Sequence, residues 1–424
     1  MLELNLFSLK ILQKISGLLN NNVGRNFGYL VILQGVNFIL PLVTMPYLVR
    51  VLGSDKFGLV MFAQSFAVFF NVLVDFGFNL SATREIAVNK NNSTVVAEIF
   101  SSVLLIKGSL LILSFLVLLG LTFTVPNLKN ESMVFLLSFG VVFGQAIFPI
   151  WYFQGIEKMQ FVTITNVLAK VLFTILIFAL IKEKSDYLLV PIFNTIGFVV
   201  AGIIGLVIAL RSVKLVGPNW LKTKLRFKES FQLFISNLSV TLYTVSNTVI
   251  LGFFTNNTLV GVYASFEKLI LAVKNIYGPL FQAMFPWLSK KKEKEMGEIT
   301  QKMILPLFGL GLSIFLVIYF AGDYILEVIY ADEIISSYSN VFRLLGLIAV
   351  FSALNMLFNT LFLSVRKKYH ERMLIMIVTG VLNLILGIGL VQSYDIWGIA
   401  ITVTFSEFIL LVFGGFYFYK FKNE

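Results

Sequence analysis

Seven charged side chains lie inside long runs of apolar sequence: Asp75, Lys107, Lys170, Glu267, Lys268, Lys274 and Glu407. At the centre of a membrane helix each costs about 2.5–3.5 kcal/mol on insertion scales, so such residues persist where they pair or face a polar cavity. Four lysines against three acids leave a positive excess. A cavity with that balance suits an anionic headgroup, and a carboxylate in it can titrate as an ion-coupling site. Pairing is the plainer reading, of Asp75 with Lys107 or of Glu407 with Lys268. By depth, Lys170, Glu267, Lys268 and Glu407 are expected near the bilayer midplane, and Asp75, Lys107 and Lys274 toward the cytoplasm.

Neutral polar residues recur around these charges at helical spacing. The stripes are Gln34, Asn37, Pro41 and Thr44; Gln64, Asn71, Asp75 and Asn79; Thr163, Asn166, Lys170 and Thr174; and Asn237, Thr241, Thr244 and Thr248, with Tyr243 and Asn247 beside the last. A helix facing only lipid has no use for them, so those faces look inward. Bonds between helices explain any single Thr. Four in register on several helices point to a water-filled cavity.

Other chemistries are missing. There is no Cys, hence no disulfide, thiolate metal site or Cys nucleophile. The one His, His370, sits in a basic loop and reads as solvated. No P-loop, metal-spaced His cluster or nucleophile elbow occurs, and no outer loop is large enough for a catalytic domain. The chain is therefore read as a non-enzyme without cofactor or metal.

The elements that position these residues are membrane helices. The 424 residues are 58% hydrophobic and 13% charged, with 44 Phe. A bilayer core needs about 20 apolar residues per span, and only closed backbone structure survives there. Twelve spans are expected, near 27–49, 57–80, 99–121, 132–155, 161–181, 187–210, 231–254, 259–286, 303–322, 341–363, 373–391 and 396–419. One side of this arrangement holds 23 Lys and Arg and the other 5, out of 33. The basic side is cytoplasmic by the positive-inside rule, which places both termini there. The same topogenic lysines account for the net charge of +11, so no nucleic-acid partner is implied. Residues 1–25 do not read as a secretory signal. Leu2, Leu6, Leu9 and Leu12, with Lys10 and Lys14, suggest an amphipathic helix on the cytoplasmic leaflet.

The basic loop 211–230 divides the chain into an N-lobe, 26–210, and a C-lobe, 231–419, of six spans each, followed by a short tail, 420–424. Even numbers of spans give the halves one orientation, as in transporters with parallel repeats. Gly58-Leu59-Val60-Met61-Phe62-Ala63 and Gly261-Val262-Tyr263-Ala264 open corresponding spans. A proline inside a helix removes one backbone bond. Pro41, Pro46, Pro279 and Pro286 are the expected hinges.

Four segments resemble one family. They are Pro46-Tyr47-Leu48-Val49-Arg50-Val51-Leu52-Gly53, followed by Phe57-Gly58-Leu59; Asp75-Phe76-Gly77-Phe78-Asn79-Leu80-Ser81-Ala82-Thr83-Arg84-Glu85-Ile86-Ala87; Trp151-Tyr152-Phe153-Gln154-Gly155-Ile156-Glu157-Lys158-Met159; and Gly261-Val262-Tyr263-Ala264 with Pro279-Leu280-Phe281-Gln282-Ala283-Met284-Phe285-Pro286. They are similar to the bacterial polysaccharide-biosynthesis flippases of the multidrug/oligosaccharidyl-lipid/polysaccharide exporter superfamily. The likeness covers nearly the whole chain, more strongly its first half. It implies a carrier of undecaprenyl-diphosphate-linked oligosaccharide, O-antigen or capsule units, from the cytoplasmic to the outer leaflet of the inner membrane. It also implies alternating access, coupling to H+ or Na+, and polymerase and chain-length proteins as partners. On that reading Lys107, Lys170, Lys268 and Lys274 serve the diphosphate and Arg84 meets it at the cytoplasmic entrance. Asn247 and the polar stripes serve the sugars, and Asp75, Glu267 and Glu407 serve the ion. Related peptidoglycan-precursor flippases have fourteen spans, two more than here. The competing expectation is a cation-coupled multidrug exporter, against which the lysine excess counts.

Overall fold

A computed structural model describes residues 22–423, with side chains from Gly28 onward except those of Pro279, Gln282, Ala283 and Pro286. The amphipathic segment expected at the N-terminus lies outside the described residues up to 21, and so do the side chains of the hinge candidates Pro279 and Pro286.

All regular structure among the described residues is helical. Among the described residues eight helices are long and apolar enough to cross a membrane, and a ninth span is reached where the pair Trp220–Thr244 and Ser246–Phe254, bent by 54°, is taken together. Two of the eight carry two expected spans each. Asn22–Asp75 holds the first two around Gly53, and Tyr369–Phe421 holds the last two around Asp395. Asn257–Leu288, with Glu267, Lys268 and Lys274 on it, accounts for the twelfth. The chain is a multi-pass membrane protein.

The turns fall where the backbone leaves helical dihedrals. Gly53 has φ 73° and Gly77 φ 81°, values glycine adopts without steric cost. Pro41 and Pro46 lie inside Asn22–Asp75, yet Gly53 is the residue that departs from helical geometry. Each proline still removes one backbone donor from the helix around it.

Two compact units form, and their bounds differ from a simple halving. Among the described residues, unit 1 comprises 22–43, 70–180 and 188–234; unit 2 comprises 44–69, 181–187 and 235–423. Residues 44–69 and 181–187, read from sequence with the N-lobe, thus pack with unit 2, and the basic loop 211–230 packs with unit 1.

In unit 1, Ser132–Ile147 lies against Leu189–Leu210 through small residues. A Cβ on Gly144 would meet the Phe198 backbone, and one on Gly140 or Gly205 would collide with Thr195 or Phe148. Lipid supplies no hydrophobic drive between helices, so close backbone approach and dispersion take its place. At one end of the unit Trp151, Phe100 and Tyr152 are buried, with the Phe100 and Trp151 rings 5.2 Å apart. Phe76, at φ 48°, is stacked between Phe227 (4.2 Å) and Phe234 (4.8 Å).

In unit 2, Gly58 and Gly261 form a backbone crossing: a Cβ on either would collide with the Asn257 or Ser54 carbonyl oxygen. This crossing explains why 44–69 joins the second half. Arg50 donates to the Val328 and Ile329 carbonyls at 2.6 and 2.8 Å, at the end of Glu293–Tyr330, where open carbonyls favour a cation. Span 10 contains a π-helical stretch, Met356–Phe362, a form often found at functional sites.

Candidate functional site

The charged residues gather into separate clusters, which belong to one unit or the other. In unit 1, Asp75 is the last residue of its helix. That end carries the negative pole of the helix dipole and disfavours a carboxylate. Lys107 compensates: its Nζ lies 3.6 Å from Asp75 Oδ1, with side chains 4% and 14% exposed. The contact is an ion pair beyond hydrogen-bond length, and Asp75 Oδ1 has no hydrogen-bond partner among the described residues.

Lys170 stands elsewhere in the unit. It lines a cavity of about 140 Å³ with Asn37, Gln145 and Asn166, walled by Phe148, Ile150 and Phe198. The stripes of spans 1 and 5 therefore meet there. Lys170 is the one charged residue in this lining. Asn166 donates back to the Val162 carbonyl at 2.8 Å, leaving its carbonyl oxygen available. The same stripe also does plain structural work, since Thr163 donates to the Tyr29 carbonyl at 3.0 Å.

Arg84 lines a larger cavity of unit 1, about 640 Å³, between the helices Phe78–Asn89 and Trp220–Thr244. Its neighbour Glu85 is held by Arg226, whose Nε lies 3.0 Å from both carboxylate oxygens and whose Nη2 lies 2.8 Å from one. Arg226 Nη1 also donates to Ser102 Oγ at 3.0 Å. A planar fork matched to a carboxylate is the strong form of ion pair.

In unit 2 the Glu407 carboxylate is the hub. Oε1 accepts from Lys274 Nζ at 2.5 Å and from the Tyr243 hydroxyl at 2.9 Å. Oε2 accepts from Asn355 Nδ2 at 2.6 Å, which also reaches the Glu407 carbonyl at 3.0 Å. The Glu407 side chain is 2% exposed. A cavity of about 80 Å³ adjoins this hub, lined also by Asn247, Tyr263 and Glu267. Asn247 donates to the Tyr243 carbonyl at 3.4 Å, while its Oδ1 is buried and without a partner among the described residues. A second polar layer lies beside it: Asn383 donates to Ser406 at 3.0 Å, and Ser406 to the Thr402 carbonyl at 2.7 Å.

The pairing of Asp75 with Lys107 matches one of the pairs read from sequence. Glu407 pairs with Lys274, whereas the sequence reading named Lys268. Helical geometry explains the exchange. Glu267 and Lys274 are two turns apart on one face, and Lys268 is rotated from both by roughly 100°. Neither Glu267 nor Lys268 closes an ion pair among the described residues, and Lys268 lines none of these cavities. The sequence reading missed Asn355, Gln145 and the Arg226–Glu85 pair. Asn355 was open to detection as a polar residue in a long apolar run. Its partner was not, since 52 residues separate it from Glu407.

Comparison with known proteins places this arrangement. The family profile described as "Polysaccharide biosynthesis protein" matches residues 23–292, and one described as "MatE" matches 288–389. A protein of Escherichia coli (strain K12) named "Putative O-antigen transporter" is 30% identical over 90% of this chain and 93% of its own length. One of Shigella dysenteriae with the same name is 28% identical over 92% and 98%. Among solved structures, the lipid II flippase MurJ in an inward closed conformation superposes with a TM-score of 0.77 at 14% identity, over 92% of this chain and 90% of that one. An inward-facing multidrug resistance MATE family transporter of the MOP superfamily gives 0.64 at 12%, over 92% and 98%. These two share the fold. With the profile spanning well over half of the sequence and relatives aligned along nearly all of it, the chain belongs to the polysaccharide biosynthesis protein family.

Proposed function

We propose that this bacterial inner-membrane protein is a flippase for lipid-linked glycan, carrying undecaprenyl-diphosphate-linked oligosaccharide, an O-antigen or capsule unit, to the outer leaflet. The observation that carries the reading is the Lys170 cavity, where one cation stands among amide side chains inside an apolar helix bundle. An ammonium suits a phosphate, and amides suit sugar hydroxyls. The names of the Escherichia coli and Shigella relatives support the glycan class. On this reading Lys170 is the diphosphate contact in unit 1. Lys107 and Lys274, tied to carboxylates, are released to substrate only as those pairs open. Coupling to H+ or Na+ belongs to the same proposal, with Asp75, Glu267 and Glu407 as candidate groups and Pro41 and Pro46 among the hinges. Polymerase and chain-length proteins are the partners it expects.

The test is complementation of a strain lacking the chromosomal copy and any redundant flippase. Wild type restores surface glycan; Lys170→Ala inserts normally but leaves lipid-linked units on the cytoplasmic leaflet. Normal glycan with Lys170→Ala removes that residue from the mechanism. Intact glycan in the deletion strain overturns the flippase reading itself.

The match of the MatE profile to 288–389 favours a second reading, a cation-coupled multidrug exporter. Such a site needs acids open to cationic drugs, whereas Asp75 and Glu407 each face a lysine. Drug efflux by the expressed protein, lost on Glu267→Gln, would establish it.

A further inference from the structure

The cavity beside Arg84 is far larger than the other two and has a different character. At about 640 Å³ it falls within the range of small-ligand pockets. Phe78, Val88, Val103 and Leu233 give the lining apolar surface. Among them stand the hydroxyls of Ser81 and Ser230, bonded to each other at 2.7 Å. Such a mixed lining, apolar with hydroxyls and charges, suits an amphiphile.

The charges define the head. Glu85 and Arg226 neutralise one another through the fork described above, and Arg226 is 8% exposed. Arg84, the next residue along, is exposed and makes no ion pair or hydrogen bond among the described residues. Its five donors are thus uncommitted, in a form suited to phosphate oxygens. Glu229 also lines the cavity and closes no ion pair with Arg84. Arg84 accordingly supplies an anion contact and Glu229 a separate place for a cationic group.

We propose that this cavity binds the phosphate head of a membrane lipid, with Arg84 on the phosphate and the apolar side chains of Phe78 and Leu233 against the first carbons of the chain. Two lipids carry that chemistry: a polyprenyl phosphate and a glycerophospholipid such as phosphatidylethanolamine, whose ammonium would meet Glu229. A role in loading transported substrate rests on the flippase reading; the binding itself does not.

The chain has no cysteine, so a Val88→Cys variant of the full protein, labelled with an environment-sensitive fluorophore, reports on this cavity alone. Purified in detergent, it is titrated with undecaprenyl phosphate, phosphatidylethanolamine, diacylglycerol and inorganic phosphate. At least one lipid phosphate gives a saturable shift. Arg84→Ala weakens it about tenfold or more, as expected for losing a charged hydrogen bond, and Arg84→Lys restores part of the loss. Leu233→Trp, which adds bulk to the lining, abolishes it. Sensitivity to Glu229→Gln in the phosphatidylethanolamine titration alone identifies the phospholipid as occupant; a response to undecaprenyl phosphate alone identifies the polyprenyl lipid. The proposal is overturned if neither lipid phosphate binds, if Arg84→Ala titrates like its parent, or if diacylglycerol matches the phosphates. Complementation reads transport independently, so loss of this site and loss of the flippase reading give different results.

Discussion

Lys274 Nζ lies 2.5 Å from Glu407 Oε1, joining spans 8 and 12 within unit 2 through two charges 133 residues apart in sequence. Removing one partner of a buried pair leaves the other charge uncompensated, at a cost of about 3–5 kcal/mol. Lys274→Ala and Glu407→Gln are each expected to lower the melting temperature of the purified protein sharply. Lys274→Met combined with Glu407→Leu should recover much of that loss. Melting-temperature losses that simply add would show that the two side chains are not coupled.

The Asp75–Lys107 pair permits an exchange of charge. Asp75→Lys and Lys107→Asp alone each bury two like charges side by side. Together they restore opposite charges and put a cation at the end of Asn22–Asp75, where the dipole favours it. Membrane abundance, measured by blotting isolated membranes, should be low for each single change and higher for the pair. If the exchanged pair is no more abundant than the singles, pairing is not the constraint on these positions.

Glycine substitutions should split by position. Gly→Ala in a helix interior ordinarily stabilises by about 0.5–1 kcal/mol. Gly120 has open space where a Cβ would go, so Gly120→Ala should be neutral or stabilising. Gly58→Ala and Gly261→Ala would drive a methyl into a neighbouring backbone carbonyl. Both should reduce folded yield on gel filtration, and an unaltered profile for either would contradict the crossing described for unit 2.

Two ion pairs anchor the basic loop segment and should differ in weight. Lys222 meets Glu98 at 2.6 Å with side chains 49% and 26% exposed, so solvent screens the pair and Lys222→Ala should cost little. Arg226→Lys keeps a charge but loses the fork on Glu85 and the bond to Ser102. A cost of about 1.5–3 kcal/mol is expected, typical of a hydrogen bond to a charged group. Proteolysis of 211–230 in the purified protein reads both: faster cleavage for Arg226→Lys, little change for Lys222→Ala. Equal sensitivity would mean that the fork contributes no more than the exposed pair.

Much of this architecture was legible in the chain. Spans follow from hydropathy because the bilayer acts on each segment separately, demanding apolar side chains and a self-satisfied backbone. The twelve expected spans correspond to helices, and the charged residues inside them were visible by composition alone. The turns at Gly53 and Asp395 were bracketed between spans rather than located.

Pairings were decided by the tertiary structure. Hydropathy is blind to rotation about a helix axis, and rotation selected Lys274 over Lys268 for Glu407. It is equally blind to which backbones approach most closely, and the Gly58–Gly261 crossing drew 44–69 into unit 2. Arg84, which makes no ion pair among the described residues, sits beside a Glu85 that Arg226 has taken from 141 residues away. Local sequence thus determined what enters the membrane, because partition is a property of each segment. Packing decided which charges are spent on one another and which stay available, because that depends on register between segments distant in the chain.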